Sequence, residues 1–236
     1  MNFPLENILG IISALDKAGI TNKYLQAGIL ATTAKETGIK PIRENLNYNS
    51  ASRLMFVWPN RFPTIESATP YVNNPEKLAN FVYGGRAGNG QQEGYKFRGA
   101  GYNGLTFRSN YERYSKLTGI ELTANPDILN SPQIAAKVLA AFYKDMLTRT
   151  NIAKYTLDHS ADINNLDSGV RIAVAITAGL PSTTGGNIYR EGLSKASVFA
   201  PELLAIVESK KKSSKGLFLP IMLITLATAS YFYFKK

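Results

Sequence analysis

Two glutamates stand eight positions apart, Glu36 and Glu44, with the turn Gly38-Ile39-Lys40-Pro41 between them. Tyr24, Leu25, Ala27, Ile29, Leu30 and Ala34 recur at helical spacing ahead of Glu36, and Gly38 is placed to cap the end of that helix. A carboxyl there can be held by the helix and partly desolvated by its neighbours. The turn lets the chain reverse and present Glu44 across a groove. Glycosidic hydrolysis needs two carboxyls in different environments, one protonated to donate to the leaving oxygen and one ionised to activate water or attack the sugar. Spacing alone does not separate such a pair from two solvated surface glutamates. Other chemistries lack their residues. The chain has no cysteine and one histidine, His159, which excludes disulfides, thiolate metal sites and a histidine-rich metal site. No metal or cofactor is expected, and His159 reads as a loop or packing residue.

The elements that must carry these side chains read as helices. Leu5, Ile8, Ile11, Ile12 and Leu15 give the N-terminal segment an amphipathic face, with no basic stretch ahead of it to mark a cleaved signal peptide. Further helices are expected over 22–37, 50–56, 75–82, 110–118, 132–147, 168–177 and 188–198, with Gly38 and Gly119 as C-caps. Between Tyr83 and Thr106 glycines crowd together, a composition suited to irregular backbone lining a cleft.

A hydrophobic fraction of 44% with 19% charged residues is that of a folded protein. The net charge of +10 comes largely from the tail: six of the 27 basic residues follow Glu208, leaving 21 against 17 acidic side chains over residues 1–208. No basic stripe with interleaved aromatics appears, so nucleic acid is not an expected partner. After the run SKKKSSKG, the uncharged sequence LFLPIMLITLATASYFYF from Leu217 to Phe234 is long enough, at about 1.5 Å per residue, to cross a hydrocarbon core of roughly 30 Å. It reads as a transmembrane helix, with the lipid bilayer as a partner.

Three words of the sequence, KETGIKPIRENLNYNSASRLMFVWPNRF, ANFVYGGRAGNG and GYKFRGAGYNGLTFRSNY, occur in the order found in glycoside hydrolase family 19, the chitinase and phage-endolysin family. The chain resembles that catalytic domain from Asn22 to Arg190. The resemblance implies Glu36 as general acid, Glu44 as general base and Thr106 as a hydroxyl that helps hold the attacking water, in an inverting mechanism with carboxyls about 6.5–9.5 Å apart. Tyr48, Arg86, Asn89 and Arg98 become candidate substrate-binding residues; the alternative for each is a structural arginine or a turn residue. Tyr95 and Phe97 read as packing residues. The sequence departs from the family pattern at Ala100, where an arginine is common, at Gly104, where a glutamine often stands, and at Thr177, in the place of a substrate-binding asparagine.

The expectation is thus a mainly α, lysozyme-like, two-lobed helical domain over 1–208, a lysine-rich linker over 209–216 and a transmembrane helix over 217–234. The expected function is cleavage of β-1,4 bonds in peptidoglycan or a related N-acetylhexosamine polymer. The expected location is a virion internal membrane or host inner membrane, with other virion proteins as further partners. The alternatives are a chitinase and a non-catalytic glycan-binding or structural virion protein.

Overall fold

The computed structural model describes residues 3–149, 163–178 and 186–213. It divides into two compact units, one formed by Met1–Lys40 with Leu139–Lys236 and the other by Pro41–Val138. The described residues are mainly helical: α1 (Leu5–Lys17), α2 (Lys23–Thr37), α3 (Ala51–Val57), α4 (Ile65–Ala68), α5 (Pro75–Tyr83), α6 (Arg108–Thr118), α7 (Pro132–Thr148), α8 (Leu166–Ala178) and α9 (Asn187–Ser213). Two short strands, β1 (Ile42–Arg43) and β2 (Ala100–Gly101), pair antiparallel.

In the first unit α2 is central. The Asn22 side chain caps it, accepting from the backbone of Tyr24 at 2.9 Å and Leu25 at 3.1 Å. Gly38 ends it with φ 62, a left-handed conformation that costs glycine little. All residues from Leu25 to Ala34 are buried, so the helix is covered on every side and not along one stripe. Its polar side chains are tied back: Gln26 Nε2 donates to Asp16 Oδ1 and the Ile20 carbonyl, and Thr32 and Thr33 donate to carbonyls one turn earlier.

The helix α8 meets α2 glycine to glycine. A Cβ on Gly28 would lie 2.3 Å from the Gly169 carbonyl oxygen, and one on Gly169 would lie 2.2 Å from that of Tyr24. Backbone touches backbone, and neither position has room for a methyl group. The inner face of α1, with Ile8, Ile11, Ile12 and Leu15 buried, follows the sequence pattern. On α9, which packs on both α2 and α8, Ala196, Ala200, Leu203 and Val207 are buried.

The longest departure from the expected boundaries is in α9. Expected to stop near Val198, it continues through Pro201 to Ser213 and takes in the first part of the lysine run. Proline removes one helical hydrogen bond, yet the helix goes on because its inner residues remain buried and its end is clamped. Lys23 pairs with Glu208 at 2.5 Å, Lys210 with Asp16 at 3.5 Å, and Lys211 donates to the Thr21 carbonyl.

In the second unit a core of Leu46, Leu54, Phe62, Leu78, Ala79 and Val82 is flanked by Tyr48, Trp58, Tyr71 and Tyr83. Ser50 and Asn74 cap α3 and α5. The four-residue α4, closed by a Thr64–Ser67 capping box, is too short to show a hydrophobic period.

The expected membrane localisation is corrected. Among the described residues no helix is long and apolar enough to cross a membrane, so a single-pass anchor is not supported. The segment from Leu217 to Phe234 and His159 lie outside the described residues.

The glycine crossing yields a prediction. Gly28→Ala forces α2 and α8 apart and lowers stability by about 3 kcal/mol or more, the upper range of overpacking, read as the urea midpoint at constant m. Gly10→Ala, where an added Cβ meets nothing within 4 Å, is the control and is neutral or stabilising.

Candidate active site

Glu44 is positioned by backbone. The ladder of β1 and β2 places Arg43 opposite Ala100, and one step further the Glu44 N–H donates to the Gly99 carbonyl at 2.8 Å. The carboxylate then turns back onto the same segment. Gly99 N–H donates to Oε2 at 3.1 Å and the Tyr83 hydroxyl donates to Oε1 at 2.8 Å. Both oxygens are engaged, so the half-buried carboxylate has a fixed orientation. Burial, followed by the nearby Glu44 charge, raises the Tyr83 phenol well above its ordinary value, and the same two causes raise Tyr48. Tyr83 is thereby held as a donor across the whole neutral range.

Thr106 comes to the same place. Ala100 and Leu105 exchange backbone hydrogen bonds at 3.1 and 2.8 Å, closing a tight loop that returns the chain beside Gly99. A Cβ added at buried Gly99 would lie 3.4 Å from Glu44 Oε2 and 3.5 Å from Thr106 Oγ1, so the glycine keeps open a gap between carboxylate and hydroxyl. The hydroxyl donates to the Gly104 carbonyl at 2.8 Å, which leaves its lone pairs able to accept from a water. The next residue, Phe107, has φ 74, a left-handed conformation costly for a bulky side chain and typical of functional loops.

The candidate binding residues separate by environment. Arg98 holds the Glu44 segment: Nε donates to the Glu44 carbonyl at 3.2 Å, Nη1 to the Tyr95 carbonyl at 2.7 Å, and the guanidinium lies 3.8 Å from the Tyr95 ring centroid. Asn89 is buried, and its amide ties the Tyr83 carbonyl to the Arg108 N–H, which is the work of a loop lock. Arg86 is exposed, with one donor on the Val82 carbonyl and its guanidinium over Phe107. The Tyr48 ring packs edge-on against Trp58 at 5.4 Å. Phe97 is fully buried, as packing predicts.

Glu36 lies in the last turn of α2, in the other unit. Its side chain is 37% exposed, more open than the sequence suggested, and pairs with the ammonium of Lys35. With Lys35, Val174, Thr177, Ile188 and Gly192 it lines a recess of about 50 Å³. Beneath it the Tyr143 hydroxyl meets Thr177 Oγ1 at 2.9 Å and the Ala173 carbonyl at 3.3 Å, and burial raises this phenol above its ordinary value. The Thr177 hydroxyl is thus engaged inside the protein. Just after Glu36, buried Ile39 has φ 58, held by the Asn7 amide on its carbonyl at 2.9 Å.

A protein of Haemophilus influenzae described as a glycosyl hydrolase family 19 domain-containing protein is 28% identical to this chain over 172 residues, spanning 70% of this chain and 85% of that protein. The likeness supports the family resemblance carried by the motifs. No family model matches the chain.

Two residues that position Glu44 went unnoticed as site residues in the sequence. Tyr83 sits in the word Tyr83-Gly84-Gly85-Arg86, where its hydroxyl was the available signal. Arg43 donates to the Arg98 and Lys96 carbonyls at 3.0 and 2.9 Å and to the Tyr111 hydroxyl at 2.9 Å, and pairs with Asp127 at 2.8 Å. A single arginine on a short strand carries no such signal. Among the described residues, no group of three or more His, Cys, Asp or Glu side chains could hold a metal ion.

The raised phenols give a pH prediction with a definite sign. Folded Tyr48 and Tyr83 keep their protons above the ordinary tyrosine value of about 10, and Tyr111 is pushed up to about 12. Their contribution to stability is therefore complete below about pH 10 and lost as pH rises beyond it. Urea midpoints measured from neutral to strongly alkaline pH fall above that point, and Tyr83→Phe shows a shallower fall than wild type.

Proposed function

We propose that this chain is a glycoside hydrolase of the family 19 type that cuts β-1,4 bonds between N-acetylated hexosamines in peptidoglycan, by inversion. In this reading Glu44 takes a proton from water as the water attacks the anomeric carbon, and Glu36 gives a proton to the leaving oxygen. Thr106 accepts a hydrogen bond from the attacking water. The supporting observation is the Glu44 carboxylate, fixed by Tyr83 and Gly99 and flanked by Thr106 across a gap kept open by a glycine. A surface glutamate has no need of such a cradle. Lys35 occupies Oε1 of Glu36, so in this reading it is Oε2 that delivers the proton.

The same Lys35–Glu36 pair favours a second reading, a glycan-binding relative without activity, because a carboxylate tied to an ammonium is a poor donor until the pair opens. Incubation with purified peptidoglycan and with chitin oligomers, followed by mass spectrometry of the products and assignment of the new anomer, separates the two. Release of α-anomer fragments from peptidoglycan is the expected result; binding without any release would leave only the second reading.

Glu36→Gln and Glu44→Gln each reduce hydrolysis to under about a thousandth while the fold is kept, since the isosteric amide can neither donate nor accept the catalytic proton; Thr106→Ala costs about tenfold, because the water is less well placed but still present. Rates on solubilised glycan with circular dichroism as the folding control check all three. Gly99→Ala tests the gap itself: its methyl fills the space between the carboxylate and the hydroxyl and lies tight against the Glu44 Cβ at 3.3 Å, with an expected loss of about 10- to 100-fold in kcat and little change in thermal midpoint.

A further inference from the structure

The recess at Glu36 and a second one share Lys35 in their linings. The second is about 220 Å³ in volume and is lined by Ala34, Lys35, Lys195, Val198 and Phe199. On α9, Ile188, Gly192, Lys195 and Phe199 follow at the spacing i, i+4, i+7, i+11 that keeps residues on one helix face. Ile188 and Gly192 line the first recess and Lys195 and Phe199 the second, so both recesses lie along one face of α9. Each has an exposed apolar side chain at it, Ile188 at 68% and Val198 at 69%.

Each recess is smaller than the roughly 300–1,000 Å³ of a pocket for a whole drug-sized ligand, so the second takes a substituent, not a further sugar ring. Its chemistry is aliphatic and aromatic with ammonium groups at the edge. The Lys35 ammonium stands at the boundary of the two recesses, close to where a side chain at Gly192 would be. Lys195 pairs at 2.5 Å with Glu191 one turn earlier, and both side chains are more than half exposed. Such an exposed helical pair contributes little, so an incoming carboxylate can replace Glu191 as the partner of Lys195 at small cost.

We infer that the second recess receives the acidic peptide stem borne by the muramic acid of peptidoglycan, so that this face of α9 selects peptidoglycan over chitin. The inference rests on the hydrolase reading of Glu36, because it is the sugar at that carboxyl which delivers its substituent to the neighbouring recess. The stem matches on three counts: it branches from the sugar ring, it carries aliphatic side chains for Val198 and Phe199, and it has free carboxylates for Lys195 and Lys35. Chitin is uncharged at these positions and offers nothing to either lysine.

The test has a binding arm and a cleavage arm, both on the full chain. In the first, a free stem peptide with its carboxylates intact is titrated into wild type and Lys195→Glu by calorimetry, beside the same peptide with its carboxylates amidated. Lys195→Glu and amidation each weaken binding about fivefold, the size an exposed ion pair allows, while circular dichroism confirms the fold. In the second arm, glycan strands bearing stems are compared with strands stripped of them by an amidase. Wild type has the lower KM on stem-bearing strands, and Lys195→Glu and Val198→Glu both bring the ratio of the two KM values toward one.

No binding of the stem peptide, binding indifferent to Lys195 and to amidation, or equal KM on both strands in wild type overturns the inference. Cleavage of stripped strands and chitin oligomers alone also overturns it, while the hydrolase reading survives. Stem binding that responds to Lys195 without cleavage of any glycan supports the recess and removes the hydrolase reading instead.

Discussion

The contact between Gly28 and Gly169 is the constraint from which the first unit is built. With carbonyls at the distance of an absent Cβ, α2 and α8 approach as closely as backbones can, and α9 then packs over both. Burying α2 on all sides demands that its polar residues be answered locally, which Gln26, Thr32 and Thr33 are. Burial ends at Ala34, and the next two residues are Lys35 and Glu36. The position of the candidate acid is therefore a consequence of where the tightly packed helix runs out, two residues beyond the end of its buried run.

Glu44 is held by different physics. No large apolar side chain fixes it; a two-residue strand pair, one tyrosine hydroxyl and one backbone N–H do. Those donors are held in turn by Arg98 on the Glu44 carbonyl and by Arg43 on the carbonyls of Lys96 and Arg98. Guanidinium groups suit this task because their fixed fork of donors satisfies several carbonyls of irregular backbone at once. The glycine-rich segment lacks side chains to pack, and the arginines supply the rigidity that packing would give elsewhere. Such a network depends on each member, since an unanswered carbonyl in a half-buried loop is costly.

Much of this was legible in the sequence. The amphipathic face of α1, the starts of α2 and α3 at Asn22 and Ser50, and the C-caps Gly38 and Gly119 follow from local rules and stand where those rules put them. What was not legible depends on distant partners. The passage of α9 through Pro201 rests on its buried inner residues and on the ties of its end to Asp16, Thr21 and Lys23, far away in sequence. Asn89 reads from its type and place as a ligand for sugars or as a turn residue, and its buried amide with two backbone partners, Tyr83 and Arg108, could not be foreseen. Tyr83 reads as one aromatic among many until its hydroxyl is found on Glu44. The hydrophobic pattern near the C-terminus suggested a membrane location, which the described helices do not support.

The departures from the family pattern also have physical readings. Gly104 has φ 60, with nothing within 4 Å of where a Cβ would be; the loop that returns Thr106 toward Gly99 takes a left-handed turn there, which a longer side chain would oppose by strain and not by lack of space. Thr177 replaces an amide with a hydroxyl bonded to buried Tyr143 and to the Ala173 carbonyl one turn earlier. A β-branched hydroxyl can satisfy a helix carbonyl and a phenol together, whereas an asparagine would extend beyond them into the recess. The change exchanges a polar arm at the mouth of the Glu36 recess for a buried bond in its floor. Beside Ile188 and Gly192 on α9, what remains at that mouth is aliphatic surface with the Lys35 ammonium at its edge.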